Sequence, residues 1–273
     1  MTAYLGSLGR LVEIYTTPTL KIAATDTPSF KETLEGRRIA QLPWSIGRRE
    51  WEVNAEAAEP DEVAVIMSFI NREWGYGPFV FVSADAPVTN LFTPDAASCD
   101  PTEVIPTSGS SAIATGPMLT PDGWAGRSFS KDVNNGLFLG RDLLPVIPGQ
   151  RVTVSAYVRG VGGAVQLAWR NAMGDSLGSV TSTVVAGTSN VVRSFVTALP
   201  PVGAVGFRVS VNSATTQVSR PAATWSDTLL PWADGQGCMK AVVHGASRDL
   251  ILASRDPRGG RYSNLGFTVS EVG

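Results

Sequence analysis

The chain has 273 residues, a formal net charge of −2, 17% charged residues, one histidine and two cysteines. A near-neutral balance argues against nucleic acid as the main partner, because neutralising phosphates requires a basic surface. A single imidazole excludes most metal sites built on several histidines and leaves little room for His-based acid–base chemistry.

The first candidate strand is Leu11 to Tyr15, which stops before Pro18. Arg37 to Leu42 is a second. Ser45 to Ala55 alternates cleanly, with Trp51 and Val53 on its buried side. Pro60-Asp61-Glu62 opens a helix, because proline suits the first helical position and acids face the positive end of the dipole. Val63, Ile66, Met67, Ile70 and Trp74 form its apolar stripe, and Gly75 and Gly77-Pro78 end it. Phe79 to Val82 reads as a buried strand.

From Thr89 to Gly235 the texture changes. Charges make up about a fifth of each flank but about an eighth of this middle. Strands are expected at Gln150 to Arg159, Ala164 to Arg170, Val191 to Val196, Ala204 to Val211 and Ala222 to Leu229, with Gly, Pro and Asn turns between them. Short strands at this spacing mark a sandwich or jelly roll, and no helix period is visible. Beyond it, Met239 to Val243 and Leu250 to Ala253 read as two strands with a turn at Gly245-Ala246-Ser247. A loop at Arg258 to Arg261 and a last strand over Leu265 to Val272 follow. The flanks resemble each other more than either resembles the middle. That pattern predicts a mainly β protein in which residues 1–90 and 236–273 form one sandwich with a packed helix, interrupted by a jelly roll over 91–235.

Several residues carry a resemblance. Thr33-Leu34-Glu35-Gly36, Arg49-Glu50-Trp51-Glu52-Val53, Gly77-Pro78-Phe79, Thr89-Asn90-Leu91-Phe92, Tyr262-Ser263-Asn264-Leu265 and Phe267 to Gly273 together resemble the minor or distal tail proteins of long-tailed bacteriophages. The resemblance covers about 130 residues split across both ends. It implies a tail-tube-like β-sandwich with one helix, assembled as a homo-hexameric ring between the tail tube protein and the tail-tip or baseplate proteins, in the virion tail. The middle is similar to the jelly rolls of carbohydrate-binding modules. That similarity rests on Val146 to Gln150 followed by Val152 to Tyr157, and on Pro201 to Ala204 before Phe207-Arg208-Val209.

Candidate sites follow from side-chain chemistry. Trp and Tyr rings stack on sugar faces while polar neighbours bind hydroxyls. Trp124, Tyr157, Trp169, Trp225 and Trp232 are available in the middle, and Trp169-Arg170 with Gln166 is the first choice, Trp124 and Trp225 next. Cell-wall polysaccharide is the expected ligand. His244 lacks a paired nucleophile in sequence, and no G-x-S-x-G, H-E-x-x-H or P-loop is present, so no catalytic residue is assigned. Asp122, Asp132, Asp142 and Asp175 sit in turns, where aspartate serves local hydrogen bonds, rather than as a glycosidase pair. Asp95, Asp100, Asp122 and Asp227 lack the spacing of a calcium loop, so no metal or other cofactor is assigned. Cys99 lies just inside the start of the insertion and Cys238 just past its end, and they form a candidate disulfide if its two junctions meet. Thr17 to Phe30 and Arg258 to Arg261 are candidate inter-subunit loops. Met1 to Arg10 lacks the basic head and apolar run of a secretory signal, and no stretch reaches membrane-spanning length. The leading reading is a phage tail structural protein. A freestanding carbohydrate-binding protein and a cell-wall hydrolase are the alternatives.

Overall fold

A computed structural model describes residues 2–14, 19–22, 29–32, 38–41, 49–58, 60–107, 112–131, 136–160, 162–183, 190–212, 217–253 and 261–272. The protein is mainly β. In chain order the elements begin with β1 (Ala3–Ser7), β2 (Arg10–Ile14), β3 (Thr19–Ile22), β4 (Ser29–Glu32), β5 (Arg38–Gln41), β6 (Arg49–Ala58), α1 (Pro60–Ile70) and β7 (Phe79–Val82). Next come α2 (Pro94–Ala97), β8 (Val104–Pro106), β9 (Ala112–Leu119), β10 (Ala125–Lys131), β11 (Gly136–Leu139), β12 (Leu144–Pro145), β13 (Val152–Arg159) and β14 (Ala164–Arg170). The chain continues through β15 (Ser176–Thr181), β16 (Val191–Ala198), β17 (Gly206–Asn212) and β18 (Gln217–Thr224) to β19 (Cys238–Ala253) and β20 (Arg261–Glu271).

Two compact units emerge. One holds Ala3–Glu13 and Val80–Met239, and the other Ile14–Phe79 and Lys240–Gly273. Composition placed the first strands with the flanks. In the structure they cluster with the middle, because Tyr4, Leu8 and Leu11 pack on its core.

The larger unit is a two-sheet sandwich. One sheet runs β16-β13-β18-β10-β9, the other β15-β14-β17-β11-β8, with β12 paired to β17. The alternation expected for β13 explains its packing. Val152, Val154, Ala156 and Val158 enter the core with Val165, Leu167, Phe207, Val209, Val211 and Val218. Thr153, Ser155 and Tyr157 take the opposite face, as period-2 geometry demands. The helical turn α2 was not foreseen. Four residues are too few to show a period, and its signal is the cap: Thr93 accepts from the Ala96 N–H and proline follows it.

Asn90 organises this unit's entrance. It is fully buried and uses all of its amide. Its Nδ2 donates to Pro221 O at 3.1 Å and Ala233 O at 3.0 Å. Its Oδ1 accepts from Phe92 N at 3.2 Å and Ala223 N at 3.0 Å. The incoming chain is thereby fixed against β18 and the outgoing segment. Gly237 allows this approach, since a Cβ there would lie 1.8 Å from Leu91 O.

In the smaller unit β19, β20, β6 and β3 pair in that order, all antiparallel where register is defined. Trp51, Val53, Phe267 and Val269 are buried, as alternation required. Arg49 forms a bidentate pair with Glu271, Nε at 2.8 Å and Nη2 at 2.7 Å, which ties β6 to the end of β20. The helix α1 buries Val63, Ile66 and Phe69. It ends at Ile70, so Trp74 is not on it; the indole instead stacks on Phe69 at 4.6 Å. The two strands expected around Gly245 are one, β19. The Gly245 φ of 67° is absorbed by an irregularity between His244 and Ser247, a bulge and not a turn. The Arg258 to Gly260 part of the expected loop lies outside the described residues. So does the expected Thr17 to Phe30 loop, except for the strands β3 and β4.

Candidate functional site

Among the described residues, the outer face of the sheet β16-β13-β18-β10-β9 gathers a set of polar and aromatic groups. Strand register assembles it. Tyr157 on β13 stands opposite Arg193 on β16 and Ser219 on β18. Ser155 stands opposite Phe195, whose ring is half exposed. The Arg193 guanidinium lies 5.5 Å from the Tyr157 ring centroid and donates to Ser155 Oγ from Nε at 3.3 Å and Nη2 at 3.1 Å.

The β9–β10 hairpin supplies the rest. Thr120-Pro121-Asp122-Gly123-Trp124 is a turn in which Gly123 takes φ 86° and the Thr120 N–H donates to Trp124 O at 2.8 Å. The turn points Asp122 at Tyr157, whose hydroxyl donates a short hydrogen bond to Asp122 Oδ2. It also leaves Trp124 47% exposed. Trp232 lies beneath, with ring centroids 5.5 Å apart at 60°. The Arg220 guanidinium sits 4.2 Å from the Trp232 centroid and 5.3 Å from that of Trp124, and its Nη2 donates to Ala125 O. Arg220 reaches this position from φ 48°, in the irregular stretch of β18 facing Ser155 to Tyr157. A non-glycine residue there is strained. The return on that strain is a cation that braces an exposed indole.

Charge and burial tune the cluster. Burial opposes ionisation of Asp122, but the bonds from Tyr157 and Thr120 outweigh it and hold the carboxyl below its ordinary range. Burial and the bond to Asp122 push the Tyr157 hydroxyl up to about 12 despite nearby Arg193. Burial lowers Arg193. At neutral pH the face therefore presents a carboxylate, a neutral phenol, two cations and an open indole. This set can stack a ring and donate to and accept from hydroxyls.

The sequence-selected residues divide differently. Trp169 is 3% exposed and packs edge-on to Phe207 at 5.9 Å. It cannot act as a stacking platform, because it follows Val165 and Leu167 on the inward face of β14. Trp225 is also core; its Nε1 donates to Pro145 O at 3.1 Å and Tyr4 packs against it. Gln166 and Arg170 lie on β14 in the other sheet. Gln166 bonds Ser179 and Ser210, and Arg170 bonds Gly174 O. Of the five candidate rings, Trp124, Tyr157 and Trp232 join the cluster, whereas the first-choice group Trp169, Arg170 and Gln166 does not. Arg193, Arg220 and Asp122 were not chosen as ligand groups. The Pro-Asp-Gly turn before Trp124 was the available signal for Asp122; register with Tyr157 placed Arg193, and no local pattern marks Arg220.

Cys99 and Cys238 are fully buried thiols that are not bonded to each other in this structure, so it does not contain the candidate disulfide. Cys99 is enclosed in the core in a left-handed conformation (φ 56°), and burial pushes its thiol up to about 12. His244 Nε2 lies 2.7 Å from Ser270 Oγ, which donates to Glu50 at 3.1 Å. With its proton on Glu50, the serine accepts from the histidine. A nucleophilic triad needs the reverse order, with the imidazole between hydroxyl and acid. Among the described residues no three His, Cys, Asp or Glu side chains converge as a metal site. Asp100 is instead paired with Arg127 at 2.9 Å and Asp175 with Asn171 at 3.2 Å; Asp132 lies outside the described residues. No helix among the described residues is long and apolar enough to cross a membrane.

No family model and no curated protein sequence matches the chain. Several solved structures show a partial likeness to the chain, each with a TM-score below 0.5. The enzymatically active domain of tailspike protein 4 from bacteriophage CBA120 is 10% identical with TM-score 0.42, over 51% of this chain and 22% of that one. The C-terminal family 22 carbohydrate-binding module of a Clostridium thermocellum xylanase is 12% identical with TM-score 0.34, over 47% of this chain and 89% of the module. A carbohydrate-binding module from Cellvibrio mixtus lichenase 5A, solved with cellotriose, is 15% identical with TM-score 0.29, over 45% of this chain and 96% of the module. Likeness at this level concerns fold and not activity.

Proposed function

We propose that this chain is a structural component of a bacteriophage tail whose jelly-roll unit contacts glycan on the host surface. The observation that carries the contact half is the braced, half-exposed Trp124 beside Asp122, Tyr157, Arg193 and Arg220. An exposed indole fixed by a cation–π stack and flanked by hydrogen-bonding groups suits pyranose recognition. The tail half is supported by the flank motifs, in which Arg49, Trp51 and Glu271 hold one antiparallel sheet. On this reading the smaller unit takes part in a homo-hexameric ring joining the tail tube protein to the tail-tip or baseplate proteins. The jelly roll faces outward, and no catalytic step is required. Antibody labelling of intact virions tests it. Label confined to the end of the tail is expected. Label on heads, or none on virions while the free protein binds glycan, would favour a freestanding carbohydrate-binding protein. That second reading draws on the same face, which needs no second copy to form.

A further inference from the structure

We infer that the glycan taken up by the Trp124 face is acidic, with carboxylate or phosphate groups paired to Arg193 and Arg220. This rests on the glycan reading above and names the class of ligand. Charge is sorted within the jelly roll. Over residues 91–235 acids and bases balance in number. Yet no Asp or Glu lies on a strand of the sheet β16-β13-β18-β10-β9, while Arg127, Lys131, Arg159, Arg193 and Arg220 all do.

Two of these cations have no counter-charge. Arg127 pairs with Asp100 at 2.9 Å. Among the described residues Arg193 and Arg220 form no ion pair, although both are half-buried. Their neighbours are aromatic faces, the Ser155 hydroxyl and the Ala125 carbonyl. The acid of the cluster, Asp122, accepts from Tyr157 and pairs with neither guanidinium. Cations drawn out of water ordinarily have an acid partner, because an unpaired charge loses its hydration without replacement. Burial already disfavours the charge on Arg193.

Arg220 is held in place against resistance. Its backbone takes φ 48°, and its Nε is buried with no hydrogen-bond partner among the described residues. Gly126 leaves it room, since a Cβ there would lie 2.8 Å from Nε. The chain thus fixes a guanidinium against two indoles and leaves its charge uncancelled. A neutral sugar stacked on Trp124 would displace water from these cations and offer no counter-charge. A carboxylate or phosphate supplies that charge and accepts from the planar guanidinium fork. Both kinds of glycan can stack on the same indole, so charge is what separates them.

The test is displacement of the full chain from isolated bacterial cell-wall polysaccharide by soluble polymers. Polygalacturonate presents sugars with carboxylates, and glucosylated poly(glycerol phosphate) presents sugars with phosphates. Dextran is a neutral glycan, and polyglutamate an anion without sugar. At least one acidic glycan is expected to displace the chain at a concentration about tenfold below that of dextran. Which of them does so tells carboxylate from phosphate. Displacement by dextran at the same concentration, or by neither acidic glycan, would overturn the acidic ligand and leave the glycan reading standing. Polyglutamate acting as well as the acidic glycan, or no binding to the polysaccharide at all, would overturn both. Arg193→Gln keeps a donor for Ser155 and should lose the preference for the acidic glycan; a variant that retains it would refute the pairing. Should that variant fail to fold, the salt dependence of wild type decides. Binding should weaken about tenfold or more between about 0.05 and about 0.5 M salt, and unchanged binding would overturn the proposal.

Discussion

Asn90→Ala should be among the most damaging single substitutions in the larger unit. The amide makes four hydrogen bonds at 3.0–3.2 Å from a fully buried position. Pro221 O keeps a second donor, Trp232 Nε1 at 3.3 Å. Ala233 O, Phe92 N and Ala223 N lose the partner that Asn90 gave them. Each buried group so stranded costs about 1–3 kcal/mol, so with one of the three rescued by an entering water the total is about 2–6 kcal/mol. Domains are held by about 5–15 kcal/mol, and for a unit of this size 1 kcal/mol moves the melting temperature by about 2–4 °C. Calorimetry of the intact chain should show the transition of the larger unit falling by about 4–24 °C. A fall of less than about 2 °C would show that the clamp adds nothing, and the account of the unit's entrance would be wrong.

Three further outcomes follow from burial and charge. Trp169→Ala removes a core indole and should cost about 3–5 kcal/mol in denaturant unfolding; a loss of glycan binding with unchanged stability would return Trp169 to the surface. The folded pKa of Tyr157 is raised to about 12, so the stability it contributes is present below the unfolded value of about 10 and is lost as pH rises through 12. Tyr157→Phe should flatten the stability profile between those limits, and an unchanged profile would refute the Asp122 bond. Cys99 and Cys238 should resist a thiol reagent in the native state and react together on unfolding; rapid native labelling would contradict their burial.

Much of the fold was legible because alternation is a strong signal where one face is buried. The strands β13, β14, β6 and β20 declared themselves through Val, Leu, Phe and Trp at alternate positions. The failures have physical causes. The bulge at Gly245 looks like a turn in sequence, because glycine serves both. The short helix α2 is specified by a cap and a proline and not by period. β9, with Gly116, Pro117 and few large residues, lacks the composition of a strand and is held by its partner β10. The site was legible in kind but not in place. The i, i+2, i+4 series Val165, Leu167, Trp169 already assigned Trp169 to the core, and the preference for Trp169-Arg170 overlooked it. Arg220 was out of reach, since its role depends on an irregular backbone and on two tryptophans 96 and 12 residues away.

The central claim is that the face around Trp124 holds surface glycan. Pull-down of the intact chain onto isolated bacterial cell-wall polysaccharide tests it most directly, with Trp124→Ala alongside. The half-exposed position, in contact with Trp232 and Arg220, predicts a melting temperature lowered by about 2–4 °C and binding reduced at least tenfold. Binding by the variant equal to that of wild type would contradict the claim.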